Sequence, residues 1–70
     1  MRNPTTNYFG NRYWLSDKNK LIRKDGPAVE WTDGYKEWHD HNGRLYRQGA
    51  PAIEDVDGSK AWYIHGDQIV

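Results

Sequence analysis

No cysteine occurs among the 70 residues, which excludes disulfide staples, thiol nucleophiles and cysteine-ligated zinc. Only three histidines are present, too few and too scattered to substitute as a metal-binding framework. No apolar run approaches the length of a membrane span, and the start of the chain has no charged-then-apolar leader pattern. Neither sign of charge dominates: ten Lys and Arg balance ten Asp and Glu, interleaved along the chain. A nucleic-acid binder needs a basic face and a DNA mimic an acidic excess, so both classes are disfavoured. Gly-rich phosphate loops and recognisable nucleophile settings are missing as well. These absences predict a cytoplasmic protein with no cofactor, no metal and no enzymatic activity; a phage-encoded chain would act in the host cytoplasm.

Large aromatics stand out against this background. Four Trp, five Tyr and one Phe accompany a mean hydropathy of −1.12, so an aromatic core is expected in place of an aliphatic one. They are also periodic. Trp14, Trp38 and Trp62 are spaced by 24 residues, as are Gly10, Gly34 and Gly58, then Arg12, Lys36 and Lys60, then Leu21, Leu45 and Ile69. The centre of the pattern is the stretch from Arg23 to Trp38, whose Arg23, Pro27, Ala28, Val29, Glu30 and Asp33 match Arg47, Pro51, Ala52, Ile53, Glu54 and Asp57. A fixed offset in both position and chemistry is the mark of a tandem repeat.

Short alternating runs bounded by Gly10-Asn11, Asp33-Gly34, Asn42-Gly43, Asp57-Gly58 and His65-Gly66 predict strands and hairpins with no helical period. Asn42-Gly43 carries the strongest type I′ signal. The expected fold is all-β: one domain over 1–70, an antiparallel meander of three β-hairpin repeats of about 24 residues. The units are 1–22 (degenerate), 23–46 and 47–70. Met1 to Asn7 is expected to be extended or frayed, with an edge strand as the alternative. Leu21-Ile22-Arg23, Arg44 to Arg47 and Gln68-Ile69-Val70 are read as further short strands. So small a chain, without staples and with open edges, favours a homodimer or small oligomer, the last strand at Ile69-Val70 being the suspect edge.

The pattern Arg23-x-Asp25-Gly26-Pro27-Ala28, Asp33-Gly34-x-Lys36-x-Trp38, then Asn42-Gly43-x-Leu45 resembles the MORN-like repeats of small bacterial and bacteriophage proteins. The match is best over 19–45, good over 46–70 and poor over 1–18. Ile22 and Tyr46 stand where phage-type repeats often carry His before Arg, and Asp-Gly-Pro-Ala becomes Gly49-Ala50-Pro51-Ala52 in the last unit. The resemblance implies a repeat scaffold of a kind associated with protein binding, lipid-associated scaffolding or toxin-immunity neighbourhoods.

Three constellations invite a functional reading. His39-Asp40-His41 could suggest a metal or general base, but with two histidines and no third ligand a solvated turn flank is the simpler expectation. Glu30 and Glu54 fall in one repeat column, so they are expected to pair across hairpins with Lys36 and Lys60 rather than to act as an acid/base couple. Trp14, Trp38 and Trp62 are expected in the core. Trp31 and Tyr35 differ, since the next unit replaces them by Asp55 and Ser59; positions that tolerate polar residues belong at the surface, and exposed aromatics beside arginine are the common ingredients of protein interfaces. Trp31, Tyr35, Arg44, Tyr46 and Arg47 are therefore the candidate protein-binding residues, the alternative being that Trp31 and Tyr35 close the end of a small core. The expected function is a non-enzymatic protein-binding module, a phage or mobile-element accessory that binds and inhibits or modifies a host defence or toxin protein. An antitoxin-like immunity protein and a single-stranded nucleic-acid binder, in which the aromatics stack on bases, are the alternatives.

Overall fold

Turn chemistry dominates this fold, because its strands are only two residues long. The computed structural model describes residues 4–23 and 25–69; Lys24, the first three residues and Val70, the end of the last expected strand, lie outside them. Six strands form one antiparallel meander in chain order: β1 (Thr5–Thr6), β2 (Arg12–Tyr13), β3 (Val29–Glu30), β4 (Lys36–Glu37), β5 (Ile53–Glu54) and β6 (Lys60–Ala61). A separate hairpin follows, β7 (Tyr63–Ile64) with β8 (Asp67–Gln68). The described residues contain no helix, and so none among them that is long and apolar enough to cross a membrane. The fold is all-β, as the sequence predicts.

The sheet is punctuated by three-residue turns of one design. Asn7, Trp31 and Asp55 each donate their N–H to the carbonyl four residues on and accept from Gly10, Gly34 and Gly58 respectively. This is a type I turn closed by a residue in the left-handed region, and φ at the three glycines is 84°, 104° and 90°. Two further turns share the plan, from Ser16 to Lys20 and from Asp40 to Arg44, with Asn19 (φ 59°) and Gly43 (φ 82°) in the left-handed position. A polar side chain at the first residue supports the geometry: Asn7 Oδ1 accepts from the N–H groups of Phe9 and Asn11, Ser16 Oγ from those of Lys18 and Lys20, and Asp40 Oδ1 from those of Asn42 and Arg44. Asn42-Gly43 is thus not the two-residue type I′ turn expected of that pair: the Asp40 carboxylate favours a longer type I turn that leaves only Gly43 at positive φ. The two-residue form occurs at His65-Gly66, where φ is 48° and 92°.

Between β2 and β3, and again between β4 and β5, the chain makes a small excursion at the other end of the strands. The expected strands there shrink to single bridges, Leu15 opposite Leu21 and His39 opposite Leu45. β7 and β8 form the third excursion. Adjacent excursions lie against each other: the Gly66 N–H donates to the Leu45 carbonyl at 2.8 Å, and a Cβ on Gly43 would meet Lys20 Cβ at 3.0 Å. That close approach, together with positive φ, requires glycine at 43.

The core is built on small residues more than on tryptophan. Ala28, Val29, Ala52 and Pro51 are buried along with Trp14, whereas Trp38 and Trp62 are half-buried. The exposed faces of the first two tryptophans are covered by guanidinium groups. Arg23 lies 3.8 Å over the ring of Trp14 and Arg47 lies 3.7 Å over that of Trp38. Each arginine also donates to a backbone carbonyl at 3.2 Å, that of Pro27 or Pro51. Glu30 and Glu54 stand opposite Lys36 and Lys60 as expected, yet their ion pairs go to arginine: Glu30 with Arg12 and Arg23, Glu54 with Arg47.

Candidate functional site

An antiparallel meander sends alternate turns to opposite ends of its strands, and this divides the expected binding residues into two groups. The turns at 7–11, 31–35 and 55–59 line one rim. Trp31 and Tyr35 sit on the middle one, their rings 4.7 Å apart. Arg44 and Tyr46 belong to the excursion on the opposite rim. Arg47 is committed to Trp38, Pro51 and Glu54, so its first role is structural.

The turn rim exposes large apolar side chains beside the carboxylates of Asp33, Asp55 and Asp57. Trp31 is 41% exposed, Tyr8 is 88% and Phe9 77%, and Val56 on the third turn is exposed as well. Adjacent turns are tied together, since Asn11 Oδ1 accepts from the Thr32 N–H at 3.0 Å and a Cβ on Gly10 would stand 3.1 Å from Thr32 Cγ2. With neighbouring strands about 4.8 Å apart, successive turns are set roughly 10 Å from each other. Asn7 in the first turn, Asp33 in the middle one and Asp57 in the third accept from backbone N–H groups of their own turns. Tyr8 and Phe9 escaped the sequence reading because the first unit is degenerate; the signal available for them and for Val56 was the 24-residue register, which places Tyr8 and Val56 in one column.

The excursion rim is polar and internally satisfied. Its centre is Asp40, 6% exposed and the one buried charged residue among those described. Its Oδ1 takes the two turn N–H groups, and its Oδ2 accepts from Arg44 Nε at 3.2 Å and from His65 Nδ1 at 2.7 Å. Tyr46 stacks flat on His65, 4.5 Å between centroids. Burial alone would push the Asp40 carboxyl up, but the His65 bond, the two backbone N–H bonds and the Arg44 charge together hold it well below the usual carboxylate range. The expectation of a solvated flank at His39-Asp40-His41 is corrected: Asp40 is buried and the His39 side chain is only 7% exposed. The cause is the third excursion, which lies over the second.

Beside Asp40 runs a hydrogen-bonded line along one face of β4. Tyr35 Oη donates to Glu37 Oε2. His39 Nε2 lies 2.8 Å from Glu37 Oε1, and His39 Nδ1 lies 2.8 Å from the Gly43 carbonyl. Both ring nitrogens face acceptors, so the arrangement is satisfied by an imidazolium donating twice to an ionised Glu37 and a carbonyl. Burial lowers the His39 pKa, but the bonds to Glu37 and Gly43 and the nearby carboxylates outweigh it and raise the value. The His39 bond holds Glu37 below its usual range, against desolvation. Burial and the bond to Glu37 push the Tyr35 hydroxyl up.

A pH dependence follows from these directions. The raised His39 contributes stability that is full below its ordinary 6.5 and lost as pH rises through its folded value. The lowered Glu37 contributes stability that is full above 4.5 and lost as pH falls through its folded value. The pair therefore supports the fold best between about pH 4.5 and 6.5. Urea midpoints should fall from about pH 5.5 to about pH 9, and the fall should be smaller in His39→Gln.

An open depression of about 520 Å³ lies here, lined by His39, His41, His65, Tyr46, Arg23 and Ile22 around Asp40. No group of three or more potential ligands among the described residues could hold a metal ion. Nor does any buried side-chain nitrogen or oxygen there lack a hydrogen-bond partner. Through Asp40 and Tyr46 of the second excursion and His65 of the third, the cluster joins the two. Comparisons with protein families, with characterised proteins and with solved structures return no match for this chain.

Proposed function

We propose that this chain is a non-enzymatic protein-binding module, assembled from three tandem hairpin units of about 24 residues, that grips a partner protein through its turn rim. The observation that carries the reading is the row of exposed Tyr8, Phe9, Trp31 and Val56 on one edge of a small sheet. Large apolar side chains left in water on successive rigid turns are anchors awaiting burial. Tyr35 supports Trp31 from below, and Arg44 and Tyr46 serve the excursion rim instead. The resemblance to MORN-like repeats of bacteriophage proteins supports the biological setting: an accessory factor that binds and inhibits or modifies a host defence or toxin protein.

Affinity capture from a host lysate tests this. Wild type is expected to retain a stoichiometric protein, Trp31→Ala and Phe9→Ala to lose it, and Arg44→Ala to keep it. Phe9→Ala should leave stability within about 0.5 kcal/mol of wild type, and Trp31→Ala, which also loses the ring contact with Tyr35, should cost about 1 kcal/mol and leave the chain folded. Capture of nucleic acid in place of protein, with an affinity that falls steeply as salt rises, would overturn the reading.

A further inference from the structure

The inner seams of the sheet repeat one register. At the first, β2 lies beside β3 with Arg12 opposite Glu30 and Tyr13 opposite Val29. At the second, β4 lies beside β5 with Lys36 opposite Glu54 and Glu37 opposite Ile53. Every residue has moved on by 24. Just past each seam the pattern continues: the Trp14 N–H donates to the Ala28 carbonyl at 2.9 Å, and the Trp38 N–H to the Ala52 carbonyl at 2.8 Å. β6 stands 24 residues beyond β4, and β1 stands 24 before β3. The two outer strands of the sheet, β1 and β6, are therefore the two halves of one more such seam.

We propose that β6 of one copy pairs antiparallel with β1 of a second copy, Lys60 opposite Thr6 and Ala61 opposite Thr5, so that the sheet continues from chain to chain. The same register brings the Trp62 N–H to the Pro4 carbonyl. The backbone of both outer strands is disposed for this. The Ala61 carbonyl accepts from the Ala52 N–H and so faces β5, which turns the N–H and C=O of its neighbour Lys60 to the open side. Asn7 bonds with Asn11 inside its own hairpin, which turns Thr6 outward by the same alternation. A lysine on an outer strand often guards against pairing, but Arg12 and Lys36 hold the matching positions on strands that are paired.

A second observation points the same way. Leu21 and Leu45 are half-buried because the next excursion lies against each of them. Ile69, at the matching position of the last excursion, is 55% exposed. In the continued sheet the first excursion of the second copy, with its turn from Ser16 to Lys20, takes the covering place. The interface is heterologous: each copy uses one edge and leaves the other open, so assembly proceeds past the dimer. It is separate from the turn rim, and Trp31→Ala should leave it unchanged.

Sedimentation of the full chain over a wide concentration range is the test, with weight-average mass expected to climb continuously beyond that of a dimer. Thr6→Glu restores opposite Lys60 the acid found at Glu30 and Glu54, and should tighten association roughly two- to five-fold at low salt. Lys60→Pro closes only the β6 edge, at a first strand position where proline is tolerated, and Thr6→Pro closes only the β1 edge. Each alone should be monomeric, while their mixture should give a one-to-one dimer. A monomer at the highest concentration would overturn the proposal. So would weaker association in Thr6→Glu, which indicates β1 against β1, or undiminished association in a folded Lys60→Pro. Thr6→Glu lies at an exposed site, so its result stands even if a proline variant does not fold.

Discussion

Asp40→Ala is expected to destabilise the protein by about 2–3 kcal/mol, a large share of the stability of so small a domain. The carboxylate is buried, and its removal takes the acceptor from four donors together: the N–H groups of Asn42 and Arg44, the Arg44 guanidinium and the His65 ring. The Arg44 and His65 side chains are about half-exposed and regain water, so the loss is that of the bonds and the turn they hold more than of stranded donors. Asp40→Ser separates the contributions. In the matching turn Ser16 Oγ performs the same task for Lys18 and Lys20, so serine at 40 should restore the turn and recover about 1–2 kcal/mol while the link to His65 stays broken. Urea denaturation of the two variants beside wild type measures both effects. Because the Asp40 pKa is depressed, its contribution is full above the ordinary 3.8 and declines as pH falls; the gap between wild type and Asp40→Ala should narrow in strong acid.

Trp38→Ala is expected to cost a similar amount, about 3 kcal/mol, the lower end for a buried aromatic because the ring is half-exposed. Its backbone joins β4 to β5 through the bond to Ala52 and receives the Tyr46 N–H at 3.0 Å, and these contacts survive the substitution. What is lost is ring area and the platform beneath Arg47. Arg47→Ala should cost less, about 1 kcal/mol, and the double variant should fall short of the sum because the two side chains act on each other. A thermal transition unchanged in Trp38→Ala would show that the ring is not part of the packed structure.

The sheet was legible in the sequence because its information is local. Each glycine of the 10, 34 and 58 column announces a left-handed position, and each polar residue ahead of a turn announces an acceptor. The alternation of Val29-Glu30 and Ile53-Glu54 then needs only one register to pair. The excursions were less legible. Leu21-Ile22-Arg23 has the composition of a strand, and the Ile22 N–H follows the register of the Leu15–Leu21 bridge to the Trp14 carbonyl, but Trp14 donates its own N–H to Ala28 and Arg23 turns its side chain onto the Trp14 ring, so the ladder goes no further. Asp40 was hidden for a different reason. It appears in the sequence as one acid between two histidines, and its burial depends on His65, 25 residues away, brought there only by the lateral stacking of excursions. Trp31 was read correctly as exposed from its replacement by Asp55, but the same comparison with Ser59 misplaced Tyr35, which is half-buried with its hydroxyl on Glu37. Arg47 was offered as a surface anchor because the sequence does not reveal that Trp38 leaves one face open for a guanidinium to cover.

The division into a turn rim that exposes aromatics and a satisfied excursion rim is most directly tested by amide hydrogen exchange on the chain with a protein retained in the proposed capture, compared with the chain alone. Protection on binding is expected to concentrate in the turns at 7–11, 31–35 and 55–59, with the turn from Asp40 to Arg44 and the His65-Gly66 turn unchanged. Protection confined to those last two turns, with the 31–35 turn exchanging as before, would contradict the account and move the binding surface to the opposite rim.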